Sequence, residues 1–260
     1  MLEVLDRGAP TDAHPAPLLF VHGAWHAAWC WDDHFLPYFA DRGYRALALS
    51  LRGHGASGSD KPLNDCTFAD YEADVAAVAA SLPVPPVLVG HSMGGFVVQH
   101  YLQSRPAPAA VLMASMPPEG YLRSGLRWLR RHPWHFAKMS VTRTTLPYVG
   151  TPALARERFF CAATPEEIVA RCIERLGEES ARSGSDGVIH RPRPERVSTP
   201  MLVLGAADDG AVTTDEVRAT ARAYHTEADF FPGMGHNMML EPAWSAVADR
   251  IDAWLVERGL

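Results

Sequence analysis

Lysine is almost missing from this chain. Only Lys61 and Lys138 occur, so arginine supplies 22 of the 24 basic side chains. The 30 acidic residues outnumber them and the net charge is −6, the wrong sign for a dedicated nucleic-acid binder. Cysteine is scarce as well. Cys30, Cys66, Cys161 and Cys172 stand far apart and form no CxxC pair, which removes zinc-ribbon and thioredoxin-like readings. The expectation is four reduced, mostly buried thiols in a reducing compartment, with the cytoplasm as the default. No apolar run approaches the roughly 18 residues that a membrane span needs. Met1 to Asp6 contain no basic segment followed by a long apolar stretch, so no signal peptide is expected. Internal repeats and low-complexity tracts are lacking too.

What is present suits one large α/β domain. Of 260 residues, 47% are hydrophobic and 21% charged. A chain of this length hides about 70–75% of its unfolded surface, so its core needs no metal or disulfide staple. Leu18–Val21, Ala46–Leu49, Val87–Val89, Ala110–Met113 and Met201–Leu204 are short, continuously apolar runs. Strands covered on both faces of a parallel sheet have this character, whereas half-exposed strands alternate. Between them, Phe68, Tyr71, Val75, Val78 and Leu82 recur at helical spacing, as do Trp244, Val247, Ala248, Ile251 and Leu255. Alternating strand and helix predicts a mostly parallel, doubly wound sheet flanked by helices.

The alternation stops between Pro117 and Arg196. Helical segments are expected at 122–131, 153–161 and 165–176, with no convincing strand. This stretch holds 14 Lys+Arg against 9 Asp+Glu, while the remainder holds 10 against 21. An inserted helical cap accounts for both changes. The expected organisation is a core of 1–116 and 197–260 interrupted by a cap of 117–196.

The most specific motif is Gly90-His91-Ser92-Met93-Gly94-Gly95, between a strand ending at Val89 and a helical stretch from Phe96. A serine on a sharp strand-to-helix turn occupies a strained backbone position, and small neighbours are needed where side chains would collide across the turn. The turn lifts the Ser92 hydroxyl clear of the sheet. A serine hydroxyl is a weak nucleophile without a base. His236, on the glycine-rich loop Gly233-Met234-Gly235-His236 before the last helix, is the candidate base. A third group must orient the imidazole and offset its charge. Asp209, in the turn after Met201–Leu204, is preferred, with its neighbour Asp208 as the close alternative. Donors for a developing oxyanion are expected from the Met93 N–H, just after the serine, and from the Ala24 N–H in His22-Gly23-Ala24-Trp25. In that loop His22 is read as a brace rather than a substrate contact.

The order Ser92, Asp209, His236 resembles that of the α/β-hydrolase fold superfamily. So do Phe20–Trp25, Leu51-Arg52-Gly53-His54-Gly55, Val89–Gly95, Leu204–Val212 and Gly233–His236, a match that spans nearly the whole chain outside the cap. His22–Trp31 is also similar to the plant esterase and hydroxynitrile-lyase branch. The family often carries an acid two residues before its Arg-Gly-His-Gly loop, where this chain has Ser50. The resemblance implies an α/β-hydrolase sheet and an enzyme acting on a small-molecule ester, lactone or thioester without cofactor or metal. A serine at position 92 argues against the aspartate-initiated dehalogenases and epoxide hydrolases. A triad-based lyase, a cofactor-free perhydrolase and a ligand-binding receptor on the same fold stand as alternatives.

The pocket is expected where strands end beneath the cap. Trp25 and Met93 are candidate wall residues, with Trp25 marked for substrate binding. Trp128, Trp134, Phe136, Met139, Leu146, Tyr148, Phe159 and Phe160 give the cap an aromatic face. Arg123, Arg127, Arg130 and Arg131 are expected to pair with the acidic core or face water, with a substrate anion as the alternative. Oligomeric state is not written in the sequence.

Overall fold

A computed structural model describes residues 1–260. Seven strands form one sheet: β1 (Val4–Arg7), β2 (Leu18–Val21), β3 (Ala46–Leu49), β4 (Val87–His91), β5 (Ala110–Met113), β6 (Met201–Ala206) and β7 (Ala228–Phe231). Their spatial order is β1-β3-β2-β4-β5-β6-β7. All neighbours are parallel except β1, which runs antiparallel to β3 with Val4 opposite Leu49 and Arg7 opposite Ala46. The five apolar runs are all strands, and β2 to β6 are buried along their whole lengths. β1 was not expected. Its Val-Leu-Asp-Arg sequence is only half-buried at an edge, so it carries neither a continuous apolar run nor a clean alternation.

Eleven helices accompany the sheet: α1 (Trp29–Asp32), α2 (Phe35–Asp41), α3 (Phe68–Ser81), α4 (Met93–Leu102), α5 (Leu122–Arg131), α6 (Pro133–Thr142), α7 (Pro152–Phe159), α8 (Glu166–Arg175), α9 (Ala181–Ile189), α10 (Thr214–Ala223) and α11 (Trp244–Val256). None is long and apolar enough to cross a membrane. Period-two alternation within each strand splits the core between the two faces of the sheet. On β2, Leu18 and Phe20 join Trp31, Phe35, Val247 and Ile251 of α1, α2 and α11. Leu19 and Val21 join Tyr71, Val75, Phe96, Val97 and Val217 of α3, α4 and α10. Full burial of one such aliphatic or aromatic side chain contributes about 1.5–3 kcal/mol.

Between β5 and β6 the chain adds α5 to α9 and no strand. α5 spans the expected residues, while α7 and α8 each start and stop within a residue or two of expectation. α6 and α9 were not foreseen. α9 reads Ala-Arg-Ser-Gly-Ser-Asp-Gly-Val-Ile, whose glycines and serines are poor helix formers. Tertiary contacts hold it: Ser180 caps its first turn, and Asp186 accepts the Phe68 N–H of α3 at 2.8 Å. The insertion is tied to the sheet half by Arg127, whose guanidinium meets both carboxylate oxygens of Glu216 at 2.7 Å. Arg127 therefore pairs with the core, and Arg131 pairs with Glu157 at 3.2 Å.

The chain winds outward from β2 to β3 and then returns to place β4 on the other side of β2. Loops after β2 and β4 consequently diverge, opening a crevice at the carboxyl ends of the strands. Ala24 follows β2 and Met93 follows β4, so the sequence-derived oxyanion donors sit at that switch point.

Candidate active site

Ser92 lies between β4 and α4 with φ 52° and ψ −116°. A non-glycine residue at positive φ is uncommon and costs of order 1–3 kcal/mol, which the surrounding structure must hold. The glycines make this possible. A Cβ on Gly90 would stand 2.6 Å from the Gly95 Cα, and one on Gly94 would strike the Val21 carbonyl. Ser92 is anchored by its own backbone: its N–H donates to the Met113 carbonyl at 3.0 Å, and its carbonyl accepts from Phe96 and Met116. Its side chain is free of hydrogen bonds.

His236 and Asp209 meet. His236 Nδ1 lies 2.7 Å from Asp209 Oδ2, with both side chains almost completely buried. The other oxygen, Asp209 Oδ1, accepts the Ala211 N–H at 2.7 Å and the Val212 N–H at 2.8 Å. The carboxylate is thus fixed by three bonds, and the imidazole presents Nε2 as its free nitrogen. Asp208 is exposed and its side chain contacts no partner; only its N–H is used, toward the Met234 carbonyl. Geometry therefore separates the two adjacent acids. Ser92 Oγ and His236 Nε2 are not hydrogen-bonded to each other in this structure.

The loop bearing His236 is held from three sides. His91 Nε2 contacts the His236 carbonyl at 2.9 Å. The Asn237 N–H donates to the Phe159 carbonyl at 2.8 Å. The buried Glu241 accepts the Gly235 N–H at 2.9 Å and the Cys161 N–H at 2.7 Å through one oxygen. Neither His91 nor Glu241 was singled out from the sequence. His91 sits inside the elbow motif and could have been noticed; Glu241 carries no local signal.

The loop after β2 is braced as firmly. His22 accepts the Leu51 N–H on Nε2 at 3.0 Å, so Nδ1 carries the proton and donates to the Gly23 carbonyl at 2.8 Å. Burial, reinforced by His54 nearby, holds His22 well below the usual histidine range. The carboxylate beside Ser50 comes from Glu3: Ser50 Oγ and the Ala56 N–H both donate to Glu3 Oε2. The N–H groups of Ala24 and Met93 have no internal partner. Trp25 itself adopts φ 64°, a left-handed conformation rare for an aromatic residue.

A cavity of about 650 Å³ opens over these donors. Its lining includes Ala24, Trp25 and Met93 from the core and Trp128, Phe136, Met139 and Tyr148 from the insertion, but neither Ser92 nor His236. Trp134 departs from expectation: it is 85% exposed and is not part of the cavity wall. Phe159 and Phe160 are buried in the core cluster rather than lining the space. Arg123 and Arg130 do not reach the cavity either. Arg158, which the sequence did not mark, does.

The Alpha/beta hydrolase family model matches residues 18–250. This chain belongs to that family. A non-heme chloroperoxidase of Streptomyces lividans is 39% identical over 107 residues, covering 39% of this chain and 37% of that protein. A bifunctional esterase/perhydrolase of Acinetobacter calcoaceticus is 38% identical over 108 residues, covering 40% of this chain and 38% of that protein. This chain thus aligns with well under half the length of these curated relatives. In three dimensions it resembles an esterase of Exiguobacterium antarcticum, at TM-score 0.79 and 17% identity, over 98% of this chain and 95% of that one. A thermophilic esterase of Thermogutta terrifontis matches at TM-score 0.73 and 23% identity, over 100% and 94%. At such identities the likeness is one of fold.

Proposed function

We propose that this α/β hydrolase cleaves a carboxylic ester, lactone or thioester through an acyl-enzyme on Ser92. The observation that carries the reading is the 2.7 Å contact between His236 Nδ1 and Asp209 Oδ2, on a loop pinned to the elbow that bears Ser92. Asp209 keeps the Nδ1 proton in place, leaving Nε2 to accept the Ser92 proton as Oγ attacks the carbonyl carbon. The tetrahedral oxyanion receives the Ala24 and Met93 N–H groups, which point to no other acceptor; removing one such donor typically costs about 10²–10³ in rate. His236 returns the proton to the leaving alcohol or thiol. Water, deprotonated by His236, then attacks the acyl carbon, Ser92 leaves as the alcohol and the acid departs. In this reading residues 117–196 form a cap that roofs the cavity and keeps bulk water from the acyl-enzyme.

The partial similarity to an esterase/perhydrolase and to non-heme haloperoxidases favours one second reading. Hydrogen peroxide replaces water in deacylation, giving a peracid by the same acyl transfer. Four buried, unpaired thiols suit a reducing cytoplasm. A fluorophosphonate probe together with p-nitrophenyl ester turnover tests the proposal. Labelling of Ser92, lost in Ser92→Ala along with turnover, is the expected result. Folded protein that neither labels nor turns over such esters would overturn it, and peracid formation from an ester plus peroxide measures the second reading.

A further inference from the structure

Arg158, in the last turn of α7, is a cation at the cavity with a buried nitrogen that the protein leaves without an anion; Arg182, which also lines the cavity and has no ion pair, is exposed to water. Arg127, Arg131, Arg143 and Arg156 on the same insertion each pair with a carboxylate. Arg158 has none within ion-pairing distance and donates no hydrogen bond. Its guanidinium is instead flanked by two indoles, 4.9 Å from the Trp25 ring and 4.9 Å from the Trp128 ring. Its Nε is sealed from solvent with no acceptor, the two terminal nitrogens are not among the sealed atoms, and the residue lines the cavity.

The nearby carboxylates are already committed. Asp209 spends its oxygens on His236, Ala211 and Val212. Glu179, the one carboxylate lining the cavity, accepts from Tyr71 and Ser180 and contacts His54. Burial pulls Arg158 down to about 10, with the charge of Asp209 acting the other way. Withdrawing a cation from water without a partner is costly, and cation–π contact offsets only about 0.5–2 kcal/mol. Because indoles cover its flanks, Arg158 offers its in-plane N–H groups. That fork matches a planar carboxylate in bidentate fashion.

We infer that Arg158 is a specificity-determining anion anchor, and that the preferred substrate is an ester carrying a second, free carboxylate, such as the half-ester of a dicarboxylic acid. This rests on the hydrolase reading above for the reaction, but not for the binding. Trp25 links the two functions: it neighbours the oxyanion donor Ala24 and packs on Arg158. A carboxylate on Arg158 would therefore fix the distance between charged end and scissile carbonyl.

The test compares mono-(p-nitrophenyl) glutarate with its neutral methyl diester, in wild type, Arg158→Gln and Arg158→Lys. The wild-type kcat/KM ratio should favour the half-ester, and Arg158→Gln should lower that ratio about 10–100-fold, the usual weight of a charge-assisted contact. Arg158→Lys should keep part of it, because the charge remains and the fork does not. Each ratio is internal to one protein, so a general loss of packing cancels. A wild-type ratio at or below one, or a ratio unchanged in Arg158→Gln and Arg158→Lys, overturns the inference. Binding of glutarate itself, read by calorimetry on wild type and Arg158→Gln, needs no turnover. Glutarate binding that depends on Arg158 in a protein inert toward esters would keep the anchor and sink the hydrolase reading. No glutarate binding to wild type would remove the anchor.

Discussion

The ring of His91 supports the main chain of His236. A carbonyl can only accept, so His91 Nε2 carries the proton that reaches the His236 carbonyl at 2.9 Å. His91 Nδ1 is then a bare nitrogen, and it is indeed buried without a partner. Burial, aided by the charges of His236 and His26, holds His91 well below the ordinary histidine range, so it stays neutral. The residue beside the proposed nucleophile thereby sets the height of the loop that carries the proposed base.

His91→Ala should lower kcat/KM about 10–100-fold, as expected when a catalytic group is displaced by around an ångström. His91→Gln places an amide N–H near the position of Nε2 and should restore most of the loss. Equal activity in wild type and His91→Ala, measured on one p-nitrophenyl ester, would show that His91 does not position the loop.

The two neighbouring acids should behave differently. Asp209→Asn keeps the shape but frees the imidazole tautomer, and on the proposed mechanism a fall in kcat of about 10³–10⁴ is expected by analogy with serine triads. Asp208→Asn changes an exposed side chain with no contacts and should stay within about twofold of wild type, the scale of an ordinary surface substitution. Steady-state kinetics on both variants decides the assignment.

Gly23 is a close approach between the loop after β2 and the elbow. A Cβ there would lie 2.8 Å from His91 Nδ1 and 3.0 Å from Ser92 Cβ. Gly23→Ala should therefore push the loop after β2, which carries the proposed oxyanion donor Ala24, from the elbow. A kcat loss of about 100-fold, with fluorophosphonate labelling slowed in parallel, is the expected outcome. Unchanged kcat would mean that the loop moves aside at no cost.

The insertion is clasped to the core by a titrating pair. His54 Nε2 stands 3.1 Å from Glu179 Oε2, with both residues buried. Burial favours the neutral ring, but the charge of Glu179 and its hydrogen bond outweigh this and raise the His54 pKa. A raised folded pKa stabilises fully below the unfolded value of about 6.5 and loses that contribution as pH climbs through the folded value. Denaturant midpoints should fall from pH 6 toward alkaline pH in wild type more steeply than in His54→Gln. Parallel pH profiles would exclude the pair as the source.

Much of this was legible in the chain itself. Gly90 to Gly95 dictates its own backbone, since only small residues fit a turn where Gly90 faces Gly95. Continuous apolar runs become buried parallel strands wherever both faces are covered, and Ser92 and Asp209 follow the ends of two such runs. Those features are local, so neighbouring residues suffice to fix them. Other features depend on chain segments far apart in sequence. Whether Asp208 or Asp209 turns inward depends on where a loop 27 residues later places an imidazole. Glu3 supplies the carboxylate for Ser50 across 47 residues. Arg158 resembles its neighbouring arginines in sequence, and only the packing of Trp25 and Trp128 around it leaves its charge unanswered. Propensity and periodicity report what a segment does alone. Which charges find partners is decided by distance in space, which only the folded chain sets.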